Sequence, residues 1–170
     1  MHTYEPADLE DMALVEAIDT VVADLLNHPV AASPHAVFTV MRHIDLLCHL
    51  TTRVVGDAHF GLVYDHADPA DQARVEPLSR AAAHFGRATA HYTLALAPAL
   101  ALSKPNAPST LHNRLDGLHA HSQLTRHFND ALHALSDART CLVTPHPASG
   151  QATPAVPPPV PAPPASKARP

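Results

Sequence analysis

The sequence has few aromatic residues, few lysines and little glycine. Aromatic residues make up 4% of the 170 residues and tryptophan is absent, so alanine, leucine and valine must form any core. Lysine occurs only at Lys104 and Lys167, and 11 basic residues stand against 16 acidic ones. Proteins that bind nucleic acid in general present a basic surface. The formal net charge of −5 therefore argues against nucleic acid as a partner.

Several catalytic and targeting motifs are also missing. Five glycines without a glycine-rich run provide no phosphate-binding loop. Cys48 and Cys141 form neither a disulfide framework nor a metal knuckle, and we expect Cys48 to pack as a small hydrophobic residue. The N-terminus is acidic and resembles no secretory signal, and no uncharged apolar run reaches the ~20 residues of a membrane span. These features predict a cytoplasmic protein without a membrane partner.

Proline is abundant and divides the chain. Ten of the 18 prolines lie in residues 144–170, a segment too poor in apolar side chains to form a core. We expect a helical domain over residues 1–143 and a disordered Pro/Ala-rich tail over 144–170. The run Pro161–Pro164, followed by Lys167, resembles an SH3-type ligand. The tail is therefore either a solvated spacer or a docking peptide.

Residues 1–143 predict an all-α fold, an antiparallel bundle of about four main helices. Apolar residues recur at helical spacing, no segment alternates as a strand does, and prolines separate the helices. We expect helix one to begin near Pro6, helix two to run from Ser33 to Gly56, and helix four to end near Val143. A third helical segment opens at Asp68–Pro69, and we expect Pro77 to break it, so that the main helix three begins there. Residues 57–66 fit a strand-like loop or a short helix.

The apolar stripes predict which faces pack inward. For helix two the predicted stripe is Val37, Met41, Ile44, Cys48, Thr51 and Val55. For helix four it is Leu111, Leu115, Leu118, Leu124, Phe128, Leu132 and Leu135. Three polar residues lie on or near these stripes or that of helix one and are candidates for burial: His43, His121 and Asp19. We expect one of the two histidines to meet a polar group inside the bundle, in a structural hydrogen bond or in a functional pair.

The 15 histidines are the obvious place for chemistry. His112, Asp116 and His119 lie within about 60° of arc on helix four. His112 and His119 are about 10.5 Å apart along the axis, a long distance for one ion. We interpret this face as solvated, with a metal site or a partner surface as alternatives. No cofactor is expected.

Arg114 and His119 are separated by four residues, and Arg53 and His59 by five. This spacing resembles the motif of HEPN-type ribonucleases, which are all-α bundles, although Leu115 and Val54 stand where that family has a polar residue. The resemblance implies acid–base cleavage of RNA by Arg114 and His119.

Charge is unevenly distributed along the chain. Residues 1–40 contain seven acidic residues and no lysine or arginine, whereas helix three has a basic ridge formed by Arg80, His84, Arg87 and His91. These charges pair either within the fold or between two copies of the chain. The favoured function is a small non-enzymatic interaction or accessory protein that binds itself or another protein. A HEPN-like ribonuclease and a His/Asp metal-binding bundle are the alternatives.

Overall fold

The computed structural model describes residues 6–63, 69–104 and 110–144. A short 3-10 helix, Pro6–Leu9, precedes four α-helices, and the described residues contain no strand. The helices are α1 (Leu14–Asn27), α2 (Ala36–Val63), α3 (Pro69–Ser103) and α4 (Leu111–Val143). The predicted all-α helical bundle is confirmed.

Neighbouring helices run antiparallel. His43 of α2 contacts Tyr92 of α3, and Gly61 of α2 lines a pocket with Leu78 of α3. From α3 to α4, His84 faces Asp137 and His91 faces Asp130, so the numbers rise on one helix as they fall on the other. The 14-residue α1, about 21 Å long, packs against both α2 and α4 and closes the bundle.

The core between α3 and α4 is rich in alanine. Small side chains allow helix axes to approach closely, and larger residues from all four helices fill the remaining space. The largest fully buried side chains include Phe85, Ile18, Leu47 and Leu135. The buried alanines of α3 and α4 are Ala81, Ala88, Ala95, Ala99, Ala120, Ala131, Ala134 and Ala138.

The helix ends differ from the predicted ones at the start of helix one. The chain forms a 3-10 turn at Pro6–Leu9 and enters α1 only at Leu14. Arg53 of α2 donates to the backbone carbonyls of Leu9 and Met12. A continuous helix would use these carbonyls internally, so the contact with Arg53 favours a break.

Two predicted helix boundaries are wrong because packing continues across them. Helix α2 begins at Ala36, after Ser33 accepts a hydrogen bond from the His35 N–H, and it passes through Gly56 to Val63. A side chain at Gly56 would meet nothing within 4 Å, so this glycine is an ordinary exposed helical position. Residues 57–63 are therefore helical; 64–66 lie outside the described residues.

Helix α3 likewise continues through Pro77. A proline inside a helix removes one hydrogen bond, at a cost of about 3 kcal/mol. Leu78 and Ala81 are buried directly after it, and their packing outweighs that cost. Proline therefore does not separate two segments here, contrary to the prediction.

Several side chains predicted to face inward are exposed. On α4, Leu111, Leu115 and Leu118 are more than half exposed. On α2, Met41 and Val55 are exposed, and so is Cys48, which does not pack as a core residue. The true core face of α2 contains Val40, Leu47, Leu50 and Val54.

The predicted tail lies outside the described residues apart from Thr144. Its Pro161–Pro164 run and Lys167 lie there too. Among the described helices, none combines the length and the hydropathy that crossing a lipid bilayer requires.

Candidate functional site

Helix α2 has a second apolar face that points to solvent. Its eight residues, which we name the α2 outer face, recur at alternating spacings of three and four and are all exposed. This spacing is the a/d pattern of a coiled coil. The residues are Phe38, Met41, Asp45, Cys48, Thr52, Val55, His59 and Leu62.

The α2 outer face is most apolar at its two ends. Phe38 is 71% exposed and Leu62 is 70% exposed. A surface helix of a globular protein normally has one apolar stripe and a polar opposite face. Helix α2 has an apolar core face as well, so its outer face has the composition of a contact surface.

The arginines of α2 are used inside the fold. Arg42 donates to both carboxylate oxygens of Asp24 on α1, at 2.5 and 3.1 Å. Arg53 holds the segment before α1 through the Leu9 and Met12 carbonyls. Neither guanidinium belongs to the α2 outer face, where Asp45 is the one residue with a formal charge.

A buried polar group, which we name the Asp24 junction, connects α1, α2 and α3. Asp24 is 3% exposed and also lies 3.0 Å from His28 Nδ1. His43 is fully buried, its Nε2 lies 4.0 Å from Asp24, and its ring meets Tyr92 edge to face. Burial lowers the pKa of His43 to about 4 against the opposing effect of Asp24, and burial raises the pKa of Tyr92.

The contact between α3 and α4 contains a second group, the His91 cluster. It consists of His91 on α3 and of His127 and Asp130 on α4, all half-buried. One ligand atom from each residue lies within 4.8 Å of the other two. Burial lowers the pKa of His127, with Arg126 and His91 adding to the effect and Asp130 opposing it.

Two helical turns away, the same helices form a different His–Asp contact. His84 Nδ1 lies 3.5 Å from Asp137, and Arg87 contacts both the His84 ring and, at 3.7 Å, the Asp137 carboxylate. Burial and Arg87 lower the pKa of His84, while Asp137 opposes them. This contact has one histidine and an arginine where the His91 cluster has two histidines.

Of the three residues of the alternative metal site on α4, the structure brings two together. His112 Nε2 lies 3.3 Å from Asp116, both strongly exposed, while His119 contacts Gln123 at 2.9 Å. In the described part of the chain, these three residues do not form a group that could hold one ion.

The HEPN-like pairs are not assembled by the structure either. Arg114 is exposed, and the described contacts do not join it to His119. Arg53, the arginine of the second pair, is committed to backbone carbonyls, while His59 is exposed on the α2 outer face.

Two of the three residues predicted to be buried are exposed. His121 is exposed because the first half of the predicted stripe, with Leu115 and Leu118, faces solvent; Leu124 and Leu135 of the second half are buried as predicted. Asp19 is about half exposed and pairs with Arg139 of α4, whose Nε donates at 2.7 Å. Those two predictions of burial are therefore wrong.

Part of the uneven charge is paired within the fold. Asp24 and Asp19 pair with arginines of α2 and α4, and Glu10 lies 3.6 Å from His49. The basic ridge faces α4, where Asp130 and Asp137 lie opposite it. These contacts pair part of the ridge within the fold, and self-association between acidic helix one and the ridge stays a prediction.

Sequence reasoning missed the His91 cluster because its residues are distant in sequence. His127 and Asp130 have the i, i+3 spacing that places two side chains on one helical face. The signal that could have found the third member is the repeat of seven residues, from His84 to His91 on α3 and from Asp130 to Asp137 on α4. Aligning the two repeats in an antiparallel pair brings each histidine to an aspartate.

Comparison with known proteins gives no relative: the chain matches no protein-family model, no curated protein and no solved structure.

Proposed function

We propose that this protein is a helical-bundle interaction protein that associates with a second copy of itself through the α2 outer face. The observation that carries the proposal is an eight-residue a/d row on α2 that is exposed throughout. Burying that row against the same row of a second copy removes apolar surface from water on both chains.

A two-fold antiparallel pairing suits this row. With the axis midway between Cys48 and Thr52, Phe38 of one copy meets Leu62 of the other. Asp45 then lies within one turn of His59 of the second copy. A parallel pairing would instead set Asp45 against Asp45, which is unfavourable.

The size of the face indicates a modest affinity. The eight residues of the row span 25 positions of the helix, a strip about 37 Å long and about 10 Å wide. Its area of roughly 370 Å² is less than half of the about 800 Å² per partner of a standard interface. We expect a dissociation constant on the order of 10 μM, so association depends on protein concentration.

Sedimentation equilibrium over a wide concentration range tests the proposal. Wild-type protein should form dimers, and Phe38→Glu and Leu62→Lys should each weaken association at least about tenfold by placing an unpaired charge in the contact. The double variant Phe38→Glu/Leu62→Lys should restore it, since each Glu then meets a Lys of the second copy.

The matched control is Leu115→Glu, which changes a leucine of similar exposure on α4. This variant should dimerise as wild type does. A wild-type protein that stays monomeric at several hundred micromolar, or a Leu115→Glu variant that loses association while Phe38→Glu keeps it, would contradict the proposal. If the double variant associates as weakly as the single variants, self-association through the α2 outer face still stands, but the antiparallel orientation is wrong.

A further inference from the structure

We propose that His91, His127 and Asp130 bind one divalent transition-metal ion, of the zinc class, across α3 and α4. The proposal is independent of self-association, because these residues lie on α3 and α4 and the α2 outer face contributes none of them.

Both histidines have a ring nitrogen that lacks a hydrogen-bond partner. His91 Nδ1 and His127 Nδ1 are buried from solvent, and neither makes a hydrogen bond. Buried polar atoms without partners are rare because their desolvation is not compensated. A metal ion would supply the missing partner to both nitrogens at once.

The distances fit an ion after a small adjustment. The two imidazole rings have centroids 5.9 Å apart and are tilted by 40°, and His91 Nδ1 lies 3.7 Å from Asp130 Oδ2. Ligands about 2 Å from a tetrahedral zinc ion lie roughly 3.3 Å from one another. The ligand atoms, now within 4.8 Å of each other, need to close by up to about 1.5 Å, a change within the reach of side-chain rotation.

The donor set indicates the class of ion. Two imidazoles and one carboxylate suit zinc and neighbouring first-row ions, whereas Mg²⁺ and Ca²⁺ prefer oxygen ligands. Three protein ligands leave at least one coordination position open. Asp130 also lines a shallow polar depression of about 600 Å³ with Arg126, Asn129 and His133, so water or a small ligand has access to the carboxylate side of the site.

Among the described residues, the neighbouring His84–Asp137 contact lacks a second histidine, which is why we assign the ion to the His91 cluster. There Arg87 already lies against the histidine and the carboxylate of the His84–Asp137 pair, where the His91 cluster has a second histidine. Each contact pairs a histidine of α3 with an aspartate of α4, in the same antiparallel register. They differ in the residue that accompanies the His–Asp pair.

Isothermal titration of the full chain, freed of metal and of any polyhistidine tag, with Zn²⁺ tests the proposal. Wild type should bind one ion tightly above any weak background from its other histidines. His91→Ala, His127→Ala and Asp130→Asn should each lower the association constant at least about tenfold. Co²⁺ bound in place of Zn²⁺ should give visible d–d absorption that the same variants lose.

The controls are His84→Ala and His112→Ala, which alter the neighbouring His–Asp contact and the exposed His112–Asp116 pair. Both should bind Zn²⁺ as wild type does. Tight binding that survives in all three cluster variants, or that is lost in His112→Ala, would overturn the proposal, as would the absence of any tight site in wild type.

Thermal unfolding separates loss of a ligand from loss of the fold. Without metal, Asp130→Asn should keep the helical circular dichroism and the Tm of wild type to within a few degrees. Zn²⁺ should raise the Tm of wild type, since it binds the folded state and connects two helices, and should raise that of Asp130→Asn by less. An equal rise in both proteins would contradict the assignment.

Discussion

The Asp24 junction and the His91 cluster use the same residue types at helix contacts, yet their surroundings differ. Asp24 is buried and both its oxygens accept from Arg42, with His28 beside them. Asp130 is half-buried, and its described contacts include a histidine but no arginine. The two contacts therefore differ in the partner of the carboxylate. An arginine binds Asp24 in a contact that holds helices together, whereas Asp130 lies beside a histidine in the contact that we propose binds a metal ion.

Of the variants considered, a substitution at the Asp24 junction should lower the free energy of unfolding most. Asp24→Ala removes the carboxylate that accepts both hydrogen bonds from Arg42, whose side chain is only 21% exposed. Breaking a buried ion pair by removing one member costs about 3–5 kcal/mol, and we expect a loss near the lower figure because Arg42 retains some solvent. Urea unfolding followed by circular dichroism measures the loss.

The matched control for this change is Asp19→Ala. Asp19 also pairs with an arginine of another helix, but the side chains of the pair are 47% and 51% exposed. Its removal should cost far less, since water solvates both groups. Similar losses for Asp24→Ala and Asp19→Ala would show that the burial of the junction does not set its strength.

The pH dependence of stability should reveal His43. Its pKa is about 4 in the folded protein against an ordinary value of 6.5, chiefly because of burial. Between these values the unfolded chain binds more protons, so the free energy of unfolding falls as the pH drops from 6.5 to about 4. The full difference corresponds to about 3 kcal/mol.

His43→Leu isolates this effect from the other histidines, which titrate in both proteins. The variant should lose less stability than wild type over that pH interval, as measured by urea unfolding at several pH values. Asp24 on α1, Arg42 on α2, Tyr92 on α3 and His28 after α1 surround the ring and are unchanged in the variant. Parallel pH profiles for the two proteins would rule out a buried neutral His43.

The fold was predictable because helical periodicity depends on local sequence. Four apolar-striped segments and the end of α4 at Val143 follow from spacing and proline positions. Gly56 and Pro77 misled the prediction, since each is locally unfavourable in a helix and only the packing on both sides keeps the helix intact. That packing comes from other helices and is absent from a local pattern.

The faces of the helices were harder to predict than the helices themselves. Leucine is the more hydrophobic residue, so Leu111, Leu115 and Leu118 outweighed the alanines in the predicted stripe of α4. The structure buries the alanines because they allow α3 and α4 to approach closely. His121 was assigned to the wrong side for this reason, and the His91 cluster requires the register between α3 and α4, which one helix alone does not contain.

Of these variants, Asp137→Asn should change the free energy of unfolding least. Asp137 and Arg87 are each 59% exposed, so Asp137→Asn should change the free energy of unfolding by no more than about 0.5 kcal/mol, and the change should shrink further in high salt. Chemical unfolding at low and high ionic strength measures both. A loss near that of Asp24→Ala would mean that half-exposed His–Asp contacts between α3 and α4 hold the fold together, and the distinction between structural and ligand-accepting carboxylates would fail. A near-zero value would instead show that this helix pair relies on its buried alanines, and its polar side chains would then be free to serve binding.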